Sequence, residues 1–138
     1  MKKITKVLTL LLFVASLTAM TSCKKVDKNL IVGSWKCSAA TLTEYGQAAP
    51  YVPAVGLIWE FKSDGTLIAE LAPEIDIESV TSTYVISGNQ LTISYRDDDG
   101  DLESESYTIN ELTKTKLKIT ENEYEFDDDR ITLEFAKL

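Results

Sequence analysis

The stretch LIWEFKSDGTLIAEL, residues 57–71, decides the fold class of this chain. Its first half alternates apolar and polar residues, as a strand does when it buries one face. Ser63-Asp64-Gly65 then interrupts the pattern, and glycine supplies the positive φ that a tight hairpin turn requires. We therefore predict a β-hairpin with Gly65 in its turn, and a core on one face of an antiparallel sheet.

The same alternation continues in both directions along the chain. No window after residue 23 has the three-to-four residue period of an amphipathic helix. A single helical turn is predicted over 27–31, with Asp27 as N-cap and Gly33 as its stop. Residues 45–56, rich in Gly, Ala and Pro, are predicted to be a connection. The fold class is all-β: an eight-stranded up-and-down antiparallel barrel, in which closure removes the edges. The predicted strands are 33–43, 57–62, 66–71, 79–86, 91–95, 102–109, 116–126 and 131–136.

Alternation also assigns one set of side chains to the interior of this barrel. One strand departs from it, since Tyr107 and Ile109 share their parity with Glu103 and Glu105. Either the glutamates lie at a solvated barrel mouth, or a β-bulge shifts the register between the two pairs. The other predicted inward residues are Trp35, Cys37, Leu57, Trp59, Phe61, Leu67, Ala69, Leu71, Val80, Tyr84, Ile86, Leu91, Ile93, Tyr95, Leu117, Ile119, Ile131, Leu133 and Phe135.

The N-terminal region has the anatomy of a secretory signal peptide. Lys2, Lys3 and Lys6 precede an apolar run over residues 7–19 that leads to small residues. A membrane-spanning helix needs roughly 20 apolar residues. This run is shorter and is interrupted by serine and threonine, so a removable leader is the better interpretation.

The leader ends in Met-Thr-Ser-Cys, residues 20–23, which resembles a bacterial lipobox. The resemblance implies that Cys23 receives a diacylglycerol and that the chain before it is removed. The alternative is ordinary cleavage nearby, with Cys23 left as a thiol that could pair with Cys37. The predicted organisation is a signal peptide over 1–22, a lipidated tether over 23–29 and a barrel domain over 30–138.

Gly33-Ser34-Trp35, at the head of the first predicted strand, resembles the Gly-x-Trp signature of lipocalins, in which the tryptophan plugs the closed end of the barrel. Residues 61–66, 84–93 and 111–117 are similar to hairpin and strand-entry segments of bacterial lipocalin-like lipoprotein domains. The resemblance covers most of residues 30–138 and implies a fold and a cell-envelope location. It implies no fixed chemistry, because one fold hosts many functions.

The charge of the chain limits its partners. The net charge is −8, and the leader holds three of the 14 basic residues and none of the 22 acids, so the mature domain is near −11. This acidity disfavours nucleic acid and anionic lipid headgroups, which are drawn to basic patches. Membrane attachment is therefore expected through the acyl chains. Lys24 and Lys25 stand where some surface-exported lipoproteins carry acids, which favours the periplasmic face of the outer membrane over the cell surface.

Trp59, Tyr84 and Tyr95 are the candidate ligand-binding residues. A tyrosine offers an apolar ring with a hydroxyl at its tip, which suits a pocket that is partly polar. The competing interpretation is that the tryptophan packs the core and that the backbone satisfies the hydroxyls. Cys37 is expected to be a small core hydrophobe.

Neither metal nor acid–base chemistry is expected. The acidic run 97–101 (DDDGD) lacks the ligand spacing of an EF-hand, and a solvated turn explains it better. The chain has no histidine, which removes the usual general base and every Ser–His or Cys–His arrangement. The carboxylate pairs Asp76/Glu78 and Glu103/Glu105 have a spacing that solvated strands also produce. We predict no enzymatic activity, no cofactor and no metal site.

Two functions remain open, and a third, carbohydrate binding, would need a row of exposed aromatic side chains, whereas Trp35 and Trp59 are predicted to face inward. The first is a lipid-anchored carrier whose barrel mouth accepts a small apolar or amphipathic molecule. The second is a packed barrel that docks an envelope or host protein, with Pro50, Tyr51 and Pro53 as contact residues. The presence of a cavity would distinguish the two. The sequence leaves the oligomeric state undetermined.

Overall fold

The computed structural model describes residues 25–70, 79–122 and 129–138. The predicted leader, Cys23, Leu71 and the carboxylate pair Asp76/Glu78 lie outside these ranges. So do residues 123–126, the last four of the strand predicted over 116–126. Within the described ranges, no helix is long and apolar enough to cross a bilayer.

The described chain forms one antiparallel sheet that closes on itself. Eight of its strands, β1 and β3 to β9, follow one another as a meander, and pairing between β1 and β9 completes the barrel. The all-β, eight-stranded prediction is confirmed. The strands are β1 (Gly33–Glu44), β2 (Gln47–Pro50), β3 (Ile58–Phe61), β4 (Thr66–Glu70), β5 (Val80–Ser87), β6 (Gln90–Arg96), β7 (Leu102–Leu112), β8 (Lys116–Glu121) and β9 (Arg130–Lys137).

Strand β2 was not predicted, and the connection expected over 45–56 is wrong in its first half. Tyr45 (φ 48°) and Gly46 (φ 75°) both have positive φ, which is the geometry of a two-residue hairpin turn. Tyr-Gly lacks the Asn or Asp that normally marks such a turn. Strand β2 pairs with the second half of β1 and β3 with the first half, with a short 3₁₀ turn (Val52–Ala54) between them.

The position of the inward glutamates is settled by the pairing of β6 with β7. Their register is continuous from Gln90↔Thr108 to Arg96↔Leu102, so Glu103 and Glu105 face inward with Tyr107. Of the two explanations, the one that places them at the barrel mouth is therefore correct. The irregularity in β7 lies further along, between Ile109 and Glu111. A second one in β1, between Cys37 and Ala39, turns Ala40 inward.

One end of the barrel is closed by Trp35. Its indole Nε1 donates a 2.6 Å hydrogen bond to the carbonyl of Ile31, the last residue of the N-terminal 3₁₀ turn (Lys28–Ile31). Asp27 caps that turn as predicted, since its carboxyl accepts from the amide of Asn29. Burying a side chain of this size contributes about 2–3 kcal/mol.

A lysine from the last strand completes the closed end. Lys137 Nζ lies 4.8 Å from the centroid of the Trp35 ring and donates to the carbonyls of Leu30 and Val32 at 3.1 and 2.8 Å. Gly33 lies beneath it with φ 127°, and a Cβ there would be 2.8 Å from Lys137 Cε. The backbone conformation therefore favours glycine at this position, and an added Cβ would also displace the Lys137 side chain.

We predict that Gly33→Ala lowers the free energy of unfolding by about 1–3 kcal/mol, because it adds backbone strain and displaces the Lys137 side chain. Urea unfolding would measure this loss. Gly88→Ala is the matched control: Gly88 also has positive φ (62°), but a Cβ there meets nothing within 4 Å. Equal losses in the two variants would contradict the role given to Lys137.

Candidate ligand site at the barrel mouth

The largest inward side chains are buried more deeply toward one end of the barrel than toward the other. At the closed end Trp35, Leu91 and Leu117 are fully buried, and Phe61 and Phe135 are 1% exposed. Toward the opposite end the inward side chains gain exposure: Trp59 reaches 9%, and Ala69, Tyr95, Glu105 and Ile131 are partly exposed. Val80, on the predicted inward parity at the start of β5, is 42% exposed. Solvent therefore contacts inward side chains at this end, which we call the mouth.

Strand directions decide which segments surround the mouth. Strands β1, β4, β6 and β8 end there, and β2, β5, β7 and β9 begin there. The hairpin turn after β1 is joined to the start of β9 by a 3.2 Å hydrogen bond from the Tyr45 amide to Asp129 Oδ1. The β6–β7 turn is the acidic run 97–101.

A carboxyl group and two phenols meet just inside the mouth. Tyr95 Oη donates to Glu105 Oε1 at 3.0 Å, and Tyr107 Oη donates to Glu105 Oε2 at 2.6 Å. Tyr95 comes from β6 and the other two from β7, so the cluster is built across one strand pair. Both oxygens of an inward carboxyl are thus hydrogen-bonded, which is how a polar group is tolerated at the edge of a core.

The environment keeps both phenols protonated. Burial raises the pKa of Tyr107 strongly, and its hydrogen bond to Glu105 raises it further. For Tyr95, the hydrogen bond to Glu105 is the main cause of a raised pKa. The hydroxyls therefore act as donors to Glu105, while their oxygens and the remaining lone pairs of the carboxyl can accept hydrogen bonds.

Aromatic rings form the floor beneath this polar cluster. The Trp59 and Tyr107 rings meet edge to face across the barrel, with centroids 6.1 Å apart. On its other side Trp59 packs against Phe135 at 5.0 Å. Smaller inward side chains, Ala40, Ala69 and Ser82, come from the neighbouring parts of β1, β4 and β5. The mouth therefore combines an apolar floor with one polar corner.

The structure brings two of the three predicted ligand residues together. Trp59 and Tyr95 are linked through Tyr107 and Glu105. Tyr84 lies toward the closed end, where its ring meets Phe61 edge to face at 5.0 Å.

The Tyr84 hydroxyl is already satisfied by the backbone. It donates a 2.7 Å hydrogen bond to the carbonyl of Lys62. Burial is the main cause of its raised pKa, with the charge of Asp64 second. Tyr84 therefore connects β5 to the end of β3 and is separate from the mouth cluster.

Glu105, Tyr107 and Ser82 are inward residues that were not among the predicted ligand residues. Ser82 is 7% exposed and lies on β5 opposite Leu67. The signal for the first two was present in the sequence, since a glutamate with the parity of an inward tyrosine must enter the barrel unless the register shifts. The alternation could not predict that the hydroxyls of Tyr95 and Tyr107 both donate to the carboxyl group of Glu105.

The acidic turn at the rim is held by its own hydrogen bonds. Asp97 Oδ1 accepts from the amide of Asp101 at 2.8 Å, and Arg96 donates to the carbonyl of Gly100 at 2.7 Å. Over the described parts of the chain, no three acidic or cysteine side chains are grouped so that they could hold a metal ion.

A concavity of about 790 Å³ lies outside the barrel at the closed end. It separates the N-terminal segment from the β5–β6 turn and the end of β7, and it has both apolar and charged walls. Its lining residues are Lys25, Val26, Asp27, Leu30, Gly88, Asn89, Ile109, Asn110, Glu111, Leu112 and Thr113.

Comparison with known protein families identifies this architecture. The sequence profile of the family described as "Lipocalin-like domain" matches residues 31–119. The chain belongs to this lipocalin-like family. The match includes Trp35 and all of strands β1 to β7, and so it contains Trp59, Tyr95, Glu105 and Tyr107.

Two solved structures from Bacteroides share the fold. A lipocalin-like protein from Bacteroides uniformis ATCC 8492 superposes with a TM-score of 0.54 at 15% identity, over 79% of this chain and 99% of that one. An uncharacterized protein from Bacteroides eggerthii DSM 20697 gives 0.54 at 16% identity, over 78% and 98%. At these identities the likeness concerns the fold alone. A comparison with curated proteins finds no match.

We predict that stability falls as the pH rises above about 10, and that Tyr107 contributes to this fall. Its phenol ionises near pH 10 in the unfolded chain but stays protonated in the fold, so the folded state binds the extra proton. Tyr107→Phe should therefore reduce the slope of unfolding free energy against pH by about 1.4 kcal/mol per pH unit.

Urea unfolding between neutral and strongly alkaline pH would measure this slope. At neutral pH the variant should lose about 1 kcal/mol with its hydrogen bond. Tyr45→Phe, at a ring that is 84% exposed, is the matched control for removal of a phenol. An unchanged alkaline slope in Tyr107→Phe would show that this hydroxyl is not buried as described.

Proposed function

We propose that this protein is a lipid-anchored, non-catalytic member of the cell envelope that binds a small amphipathic or apolar ligand in its barrel mouth. The observation that carries the proposal is the gradient of exposure along the barrel interior. A barrel filled throughout would bury its inward side chains at both ends. Here the most deeply buried large side chains lie toward the closed end, and Tyr95, Glu105 and Ile131 near the mouth contact solvent.

The arrangement of the mouth suggests which chemistry it recognises. Trp59 supplies an apolar surface, which favours a ring or chain of the ligand. Glu105 and the oxygens of Tyr95 and Tyr107 accept hydrogen bonds, so a hydroxyl, amide or amine at one end of the ligand would find partners there. A largely apolar pocket with a few placed polar groups is the usual form of a small-molecule site.

The location is part of the same proposal. The lipobox-like sequence before Cys23 supports acylation of that residue, and the lysines after it favour the periplasmic face of the outer membrane. The absence of histidine from the sequence supports a binding role without catalysis. We propose that the protein uses no cofactor and binds no nucleic acid.

One observation favours a second candidate function, the docking of an envelope or host protein. The β1–β2 turn and the 3₁₀ segment that follows β2 expose three large apolar side chains: Tyr45 (84%), Val52 (72%) and Val55 (43%). Pro50 and Pro53 are exposed as well. The other predicted contact, Tyr51, packs against the core and is less available.

Native mass spectrometry of the full-length protein purified from its own membranes tests the main proposal. We expect a diacylglycerol mass on Cys23 and a small molecule that stays bound through gentle desolvation and is released at higher collision energy. An unmodified Cys23 would remove the anchor from the proposal. A barrel that repeatedly carries no ligand, and gains none when incubated with membrane lipid extract, would remove the carrier function.

A pair of tyrosine variants separates the two candidate functions. Tyr95→Ala removes a mouth side chain and should weaken retention of the ligand by about tenfold, the value of one good contact of 1.4 kcal/mol. Tyr45→Ala removes an exposed ring of the β1–β2 turn and should leave retention unchanged. The amount of ligand per protein, measured by the same mass spectrometry, gives both results. A loss in Tyr45→Ala alone would mean that the ligand contacts the β1–β2 turn and not Tyr95, which would contradict the proposed site.

A further inference from the structure

The charges of the described chain are sorted between the two ends of the barrel. All eight described lysines lie in the half that contains Trp35 and the N-terminal 3₁₀ turn. Five carboxyl groups accompany them, which leaves this half with a net positive charge. The lysines are Lys25, Lys28, Lys36, Lys62, Lys114, Lys116, Lys118 and Lys137, and the acids are Asp27, Glu60, Asp64, Glu111 and Glu134.

The mouth half carries the opposite charge. Two arginines, Arg96 and Arg130, are outnumbered there by ten carboxyl groups among the residues that the structure describes. The separation follows from the topology, because a meander sends every second connection to the same end. The acids of this half are Glu44, Glu70, Asp97, Asp98, Asp99, Asp101, Glu103, Glu105, Glu121 and Asp129.

Some of the lysines at the closed end are already engaged. Lys116 and Lys118 form ion pairs with Glu111 and Glu134, and Lys137 is held over Trp35. The remaining five, Lys25, Lys28, Lys36, Lys62 and Lys114, are exposed. Asp27 and Asp64 use their carboxyl groups to hold the amides of Asn29 and Thr66.

The chain also enters the domain at this end. Lys25, where the described N-terminal segment begins, lines the concavity beside the β5–β6 turn and the end of β7. Only one residue separates Lys25 from Cys23. An anchor at that cysteine would therefore hold the basic half of the barrel within a few residues of the lipid.

We propose that the lysines of the closed end dock on anionic lipid headgroups, so that the barrel stands with its mouth directed away from the bilayer. The net negative charge of the mature domain disfavours binding to anionic lipids when the domain is considered as a whole. However, the potential of an anionic surface is screened within about 8 Å at physiological salt, so the surface acts mainly on the nearest charges of the protein. Each lysine near such a surface is favoured about fivefold. The acidic mouth, at the far end, is repelled. This orientation goes beyond the proposed ligand binding and leaves the mouth open to solvent.

Fluorophores at the two ends of the full-length protein test the orientation in vesicles. Thr115→Cys places a label in the β7–β8 turn of the closed end, and Asp98→Cys places one in the β6–β7 turn of the mouth. The vesicles contain phosphatidylcholine alone or with phosphatidylglycerol, together with a lipid that carries a nitroxide quencher on its headgroup. We expect stronger quenching at position 115 than at 98 with phosphatidylglycerol, and a smaller difference at high salt or without the anionic lipid.

Charge variants supply the controls. Two populations are compared: barrels with the closed end on the bilayer and barrels with the mouth on it. Lys62→Gln and Lys114→Gln should each reduce the ratio of the first to the second about fivefold. Arg130→Gln removes one exposed cation from the mouth half and should leave that ratio unchanged or raised. The proposal would be overturned by equal quenching of the two labels or by stronger quenching at position 98. It would also be overturned if the difference in quenching did not change with salt, with anionic lipid or with the removal of these lysines.

Acylation of Cys23 is tested separately in the same samples, by thiol labelling. Cys37 is 1% exposed, so a protein without an introduced cysteine takes up label only if Cys23 is a free thiol. Such labelling would refute acylation, whereas the quenching contrast depends on the lysines and on the lipid charge. Neither the quenching difference nor the thiol labelling depends on whether the barrel binds a ligand, so these tests are independent of ligand retention in native mass spectrometry.

Discussion

The rest of the barrel depends on the closure of one end around Trp35. Its ring is fully buried, its Nε1 holds the end of the N-terminal 3₁₀ turn, and Lys137 of the last strand covers it. This contact joins the first strand to the last, which is the pairing that turns an open meander into a closed barrel. Closure pairs β1 with β9, so that neither is an edge strand, and the candidate ligand site lies at the end opposite Trp35.

A barrel with one sealed end can place polar groups inside only near its open end. Glu105 lies at that boundary and is held by two tyrosine hydroxyls, while the inward positions deeper in β6 and β7 are apolar. The edge-to-face contact between Trp59 and Tyr107 spans the barrel directly beneath the carboxyl group. Hydrophobic packing and hydrogen bonding are thus separated along one axis, and the candidate site lies where they meet.

The same axis separates charge. In a meander, alternate connections lie at opposite ends, so lysine-rich and aspartate-rich connections become two oppositely charged surfaces. The proposed ligand site and the proposed attachment surface therefore lie at different ends of one small domain. A ligand would reach the mouth without competing with the surface from which the chain enters the barrel.

The sequence by itself determined the fold class, the strand number of the closed barrel and the capped turn before it, because alternation and turn residues act over a few neighbouring positions. It also placed Trp59 and Tyr95 on the inner face. It missed β2, because Tyr-Gly lacks the usual turn signal, and it could not choose between a bulge and a mouth position for Glu105. Only the tertiary structure decided that choice, and it alone brought Tyr95 and Tyr107 to one carboxyl and moved Tyr84 to the other end. These outcomes depend on register between strands, which is fixed by contacts between residues distant in the chain.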